Sequence, residues 1–388
     1  MERPGLIDLG WGHPPPSALP VEAWSAATAE ALRTHSWRAL TYGRGAGPGP
    51  LVEWLCEHLG RVDARAPEPG EVFVTAGASQ ALELLAGMLT RPGDVVLVDS
   101  PTYHLALRIL ADHHVELRPA PSDGAGIDPA ATRALVRRLT SAGHRVPLLY
   151  LVPTFGNPTG ESLVAPRRAG LAELTRDTGL TIVEDDAYRE LGYGGPAPPS
   201  LWAVAGGRGV VRVGSFSKTV GPGLRLGWIT ADAELVCRLA DRGMVDSGGG
   251  LNHTTALAMA ALGTSGRYAE HVAQVRQGYR RQRDALVRAL AAEASALGAT
   301  APAGGWFLWL TLPDGLTAPA LLAAAERHGV SFLTGERFHV RPVGTEHARL
   351  SFSRYGPDEL ADAAARLGRA LGEVTRPCGG TADTGGGR

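Results

Sequence analysis

Seven short runs, at residues 72–75, 95–98, 115–117, 148–152, 181–184, 210–213 and 226–230, are apolar or nearly so and rich in β-branched side chains. Continuous apolar runs of this length predict strands buried on both faces. Between them, stretches such as 79–89 and 166–178 carry apolar residues at helical spacing. Alternation of the two patterns predicts an α/β fold with a mostly parallel seven-stranded sheet covered by helices. Ahead of it, His13-Pro14-Pro15-Pro16 and Trp11, Trp24 and Trp37 mark an arm followed by a helix over 21–34. Past Ala231 the helical pattern dominates, with a long helix predicted over 267–297. The segments 306–312, 320–328, 331–333, 348–352 and 358–371 then predict a small α+β domain. The expected division is 1–40 for the arm and small-domain helix, 41–275 for the large domain, 276–375 for the small domain, and 376–388 for a Gly-rich tail too polar to fold.

Composition narrows the function. The 388 residues carry a formal charge of -1, which supplies no electrostatic footprint for nucleic acid or an anionic membrane. No stretch approaches the apolar length of a membrane span, and Met1-Glu2-Arg3-Pro4 lacks a signal-peptide profile, so a cytoplasmic protein is expected. Cys56, Cys237 and Cys378 form no CxxC pair, which argues against a disulfide framework and a zinc site. Asp112-His113-His114 reads as a solvated helix end, and no metal is expected.

One bias carries more weight. Of 38 basic residues 37 are Arg, the single Lys is Lys218, and the only Asn residues are Asn157 and Asn252. Arg replaces Lys as a surface charge, but a guanidinium stays protonated, whereas a lysine amine can lose its proton and form a Schiff base. Lys218 follows the predicted strand 210–213 in Gly214-Ser215-Phe216-Ser217-Lys218-Thr219, and Arg225 lies shortly after. Other predicted strands end at Ala76-Gly77-Ala78-Ser79, at Asn157-Pro158-Thr159-Gly160 and at Glu184-Asp185-Asp186-Ala187-Tyr188. In parallel sheets ligands bind at the carboxyl ends of the strands, and a Gly-Ser turn opening a helix offers free amides to a phosphate. Lysine, phosphate cradle, carboxylate and Asn together are what pyridoxal phosphate requires.

On these motifs the chain resembles the fold type I pyridoxal-phosphate enzymes, in the class I/II aminotransferase family. It is most similar to the branch with 2-aminoadipate and kynurenine aminotransferases and the effector domains of MocR-type regulators. The resemblance spans nearly the whole chain and implies an aspartate-aminotransferase-like fold. It implies that Lys218 forms the Schiff base with the cofactor and that Asp185 partners the pyridine nitrogen. Tyr188 and Asn157 would bond the phenolic oxygen, and Tyr103, in Ser100-Pro101-Thr102-Tyr103, would stack on the ring. Gly77, Ala78, Ser79, Ser215, Ser217 and Arg225 would hold the phosphate. Tyr42 would reach the phosphate of a neighbouring subunit, implying a homodimer with shared active sites. Arg349, in Ala348-Arg349-Leu350-Ser351, would clamp the α-carboxylate of an amino-acid or 2-oxo-acid substrate.

The chain departs from the family pattern at Leu9-Gly10-Trp11-Gly12-His13-Pro14, which places Trp11, Gly12 and His13 at the substrate entrance, and at Gly156 and Thr334. Three consecutive glycines precede Asn252 and His253, freedom that a plain connection would not need. Asn252 is expected at the mouth of the site, with capping of the following helix as the alternative. Transamination is the leading reading. Elimination, replacement, cyclisation or decarboxylation on the same cofactor is the second, and a non-catalytic effector-binding module the third.

Overall fold

The computed structural model describes residues 3–341 and 343–375, so the predicted tail 376–388 and Cys378 lie outside the described residues. A seven-stranded sheet runs in the order Val72–Thr75, Gly227–Thr230, Val210–Ser215, Thr181–Asp185, Leu148–Leu151, Val95–Val98, Glu116–Pro119. Every pairing is parallel except the two made by Gly227–Thr230. That reversal has a consequence for the site: the amino end of the antiparallel strand arrives at the same sheet edge as the carboxyl ends of its neighbours. Val72–Thr75, Val95–Val98 and Leu148–Leu151 are buried at every position, as their unbroken apolar runs predict.

The predicted edge strand at 115–117 is shifted to Glu116–Pro119, where it pairs with Val95–Val98. The predicted strand at 331–333 divides in two. Val330–Ser331 pairs in parallel with Ile7–Asp8 of the arm, whereas Leu333–Thr334 joins a three-stranded sheet with His347–Ser351 and Phe307–Thr311. A single extended run thus serves two partners, which periodicity along one segment cannot reveal. The long helix covers Arg267–Glu293 and stops short of the predicted 297, with a separate 3-10 turn at Ser295–Leu297. It packs along the helix Pro357–Thr375.

Gly214 lies opposite Trp228 on the neighbouring strand, and a Cβ built there would fall 2.2 Å from the indole. A glycine inside a strand at such an approach is a packing requirement. Gly214→Ala should lower the unfolding free energy by about 1–3 kcal/mol, the range for overpacked cores. Urea denaturation checks this, with an unchanged m-value showing that the transition itself is intact.

Candidate active site

Asp185 ends its strand between two other acids, and the period of two along a strand sends Asp185 to one face and Glu184 and Asp186 to the other. Behind the sheet, Asp186 accepts from Arg212 Nε at 2.8 Å and from Arg189, and Arg212 Nη1 reaches Asp63 at 3.0 Å. Glu184 lies 3.6 Å from Arg168 and accepts from the backbone N–H groups of Leu201 and Trp202. These charges are all buried. Asp185 faces forward, where the Tyr150 hydroxyl donates to it at 2.9 Å and the Ala187 N–H at 3.3 Å. Burial raises its pKa, against the opposing pull of those hydrogen bonds.

The forward face lines a cavity of about 160 Å³. Ala78, Ser79, Tyr103, Asn157, Asp185, Tyr188, Ser215, Ser217, Lys218 and Arg225 all border it. At one end, Gly77 has φ of +93° and opens the helix Ala78–Leu89, whose first turn presents amides without partners within the helix. Arg225 lies over this turn. A Cβ built on Gly77 would sit 2.8 Å from its Nη2, so glycine is what lets the guanidinium close on the helix end. The Ser215 hydroxyl accepts from the Ser217 N–H at 3.1 Å, tightening the turn before Lys218. A phosphate fits these donors: a helix amino end, the serines Ser79, Ser215 and Ser217, and a guanidinium.

Lys218 is the amine of the cavity. Its pKa is depressed to about 8, chiefly by burial, with Arg349 and Arg225 adding to the effect and Asp185 opposing it. Its Nζ stands 4.8 Å from the centre of the Trp306 ring and 5.8 Å from that of Tyr188.

Arg349, on the strand His347–Ser351, is buried among rings, with Phe307 at 4.1 Å and Phe338 at 4.8 Å from its guanidinium carbon. It donates to Asn157 Oδ1 at 2.8 Å and to the Gly10 carbonyl at 2.6 Å, while its Nε has no partner. Among the described residues no carboxylate pairs with it, and burial depresses its pKa to about 10. A buried guanidinium left with a free donor is poised for an incoming anion.

The arm crosses above. Gly12 packs on Phe307 so closely that a Cβ would fall 2.9 Å from the ring. Trp11, 53% exposed, and His13 line a larger cavity of about 790 Å³ with Asp8, Arg354 and Tyr355. The pKa of His13 is lowered by burial first and then by Lys218 and Arg354. Tyr42 stands apart from the cavity and is 78% exposed. Asn252 occupies the position before the helix His253–Thr264 but makes no capping bond; its side chain donates to the carbonyls of Leu224 and Arg225.

Three contributors escape a reading of the sequence alone: Tyr150, Trp306 and the carbonyl of Gly10. The first two sit in runs whose apolar character reads as core. Gly304-Gly305 ahead of Trp306 marks the close approach there, since a Cβ on Gly304 would fall 2.6 Å from Phe155. The third is backbone, which no residue pattern announces. Asp112 ends a helix and His113 pairs with Glu83, and among the described residues no three His, Cys, Asp or Glu side chains gather as a metal site.

The family model for aminotransferase class I and II matches residues 4–367. The chain is 34% identical to a 2-aminoadipate transaminase of Thermus thermophilus over 95% of this chain and 91% of that one. It is 31% identical to aromatic-amino-acid aminotransferase 1 of Thermococcus litoralis, over 96% and 89%. Among solved structures, the kynurenine aminotransferase of Pyrococcus horikoshii superposes with a TM-score of 0.88 at 30% identity, covering 96% of this chain and 92% of that one. The chain therefore belongs to the class I and II aminotransferases, pyridoxal-phosphate-dependent enzymes of the aspartate-aminotransferase-like fold. Its substrates are accordingly amino acids and 2-oxo acids. No helix among the described residues is long and apolar enough to cross a membrane.

The tandem acids have separable roles. Asp186→Asn, which leaves Arg189 and Arg212 short of a buried partner, should cost on the order of 3–5 kcal/mol of stability. Asp185→Asn removes a carboxylate disfavoured by burial and should leave the urea midpoint close to that of the parent protein.

Proposed function

We propose that the side chains bordering the cavity divide the work of transamination as follows. The cofactor, when bound, supplies a reactive carbonyl and a ring that accepts electrons. Ala78, Ser79, Ser215, Ser217 and Arg225 hold its phosphate around Gly77, and Asp185, steadied by Tyr150, faces its ring nitrogen. Tyr103 covers one face of the ring, and Tyr188 and Asn157 bond its phenolic oxygen. Lys218 attaches the cofactor and, once displaced by the substrate amine, takes the proton from the substrate Cα at Nζ. Burial already lowers the pKa of this amine to about 8 in the cofactor-free cavity, which favours the neutral form that has to accept the proton.

Arg349 binds the substrate α-carboxylate, with Asn157 and the Gly10 carbonyl holding its fork in place. Gly12 keeps the arm close over the site, and Trp11 and His13 face the approaching side chain. The observation that carries this reading is a buried guanidinium that no carboxylate among the described residues pairs with, near the only lysine of the chain. The seven-stranded sheet lies within 41–275 and the three-stranded one within 276–375, which supports division of the chain into a large and a small domain with those bounds. The exposed Tyr42 supports a homodimer in which this tyrosine completes the neighbouring site, working in the cytoplasm.

Two measurements test these assignments. Borohydride treatment of the loaded protein should fix one cofactor per subunit on the peptide bearing Ser217-Lys218-Thr219, and Lys218→Arg should abolish both attachment and turnover. Since the neutral amine attacks, attachment to the cofactor-free protein should quicken as pH rises and level off above about 8. For the second, Arg349→Lys should weaken amino-acid binding by about 1.5–3 kcal/mol, the worth of hydrogen bonds to a charged group, while cofactor content stays unchanged. The donor panel for turnover, with products identified by mass, should include 2-aminoadipate, aromatic amino acids and kynurenine, following the relatives.

A further inference from the structure

The residues Asp246-Ser247-Gly248-Gly249-Gly250-Leu251-Asn252-His253 join two helices and do more than connect them. On one side they meet the loop that carries Tyr42. A Cβ built on Gly249 would fall 2.7 Å from the Tyr42 Cβ, and one on Gly250 would fall 2.1 Å from the Arg44 carbonyl oxygen. Gly43 is equally pressed, 2.4 Å from His253 Nδ1. His253 Nε2 lies 3.0 Å from the Arg38 carbonyl, and the Thr254 hydroxyl donates to that of Ala39 at 2.7 Å. Positive φ at Gly249 and Gly250, +62° and +94°, further restricts these positions to glycine.

The other side holds Arg225. Asn252 Nδ2 donates to the Leu224 carbonyl at 3.0 Å and to the Arg225 carbonyl. Arg225 itself is left-handed, at φ 47° and ψ 55°, which a residue with a Cβ adopts only when its surroundings impose it. That backbone directs the guanidinium over Gly77, with Nη2 3.3 Å from the Ala76 carbonyl. Asn252 is left-handed too, at φ 52° and ψ 42°, a conformation Asn tolerates better than most residues. It serves the loop opposite and leaves the helix behind it without a side-chain cap.

We propose that Asn252 is a positioning residue for the cofactor phosphate. Its amide fixes the left-handed turn at Arg225, and the glycine run behind it braces that turn against the Tyr42 loop. The inference rests on the phosphate reading given above. It explains why an asparagine persists here in a chain that has otherwise kept only Asn157.

The test uses the full-length, cofactor-free protein and two probes, pyridoxal phosphate and pyridoxal, which lacks the phosphate. Asn252→Gly keeps the left-handed backbone and removes the amide; Asn252→Asp keeps the size and turns an acceptor toward the two carbonyls. Each should weaken pyridoxal phosphate binding by on the order of tenfold, as expected for losing one or two hydrogen bonds to backbone carbonyls, and leave pyridoxal binding unchanged. Arg225→Ala should do likewise, and adding Asn252→Gly to it should cause no further loss, because both act through one guanidinium. Equal losses for the two probes would show a general structural role and overturn the proposal, as would additive losses in the double variant. Failure of the parent protein to prefer pyridoxal phosphate over pyridoxal would instead strike the phosphate reading on which the proposal stands.

Discussion

The site depends on a buried ion cluster that never touches it. Asp63, Glu184 and Asp186 meet Arg168, Arg189 and Arg212 behind the sheet, where solvent is absent and an unpaired charge would be costly. The cluster ties the strand Thr181–Asp185 to the strand Val210–Ser215, to the end of the helix Gly49–Val62 and to the helix Ala165–Thr178. Strand alternation then leaves Asp185 one orientation, toward Lys218. A slip of one residue would bring Glu184 and Asp186 into the cavity and strand three guanidinium groups, so register and site orientation are a single constraint.

The site in front is assembled from separate loops that meet only because the sheet is nearly all parallel. Ala76–Ser79, Tyr103, Asn157 and Lys218 follow the carboxyl ends of their strands, Asp185 is the last residue of its own, and Arg225 precedes the one reversed strand. The smaller sheet contributes Arg349, and the arm lays the Gly10 carbonyl on that same guanidinium. Arm, large domain and small sheet therefore converge on one charged group, so an anion bound there would be held by a guanidinium that all three position.

Much of this was legible in the sequence because it depends on local pattern. Buried parallel strands read as apolar runs, and the scarcity of Lys and Asn singled out Lys218 and Asn157. What was not legible depends on pairing between distant segments. The division of residues 330–334 between two sheets follows from which strand approaches each half, Ile7–Asp8 or His347–Ser351. Tyr150 looks like core until the Asp185 carboxylate is seen beside it. The oddity of the glycine run before Asn252 was visible, yet its cause, two loops pressing on it from opposite sides, required the fold. The packing of Phe307 and Phe338 against Arg349 joins residues from separate segments that no spacing rule connects.

A chain with one lysine also has an unusual relation to alkali. Its surface cations are almost all guanidinium groups, which keep their charge far above the pH at which lysine amines give theirs up. In surface pairs such as Arg133 with Asp177 and Arg327 with Glu373 both partners accordingly stay charged in basic solution. In the cofactor-free protein the one side-chain amine that discharges on the way there is Lys218, so mild alkalinity changes the charge of the cavity while the exterior guanidinium groups keep theirs.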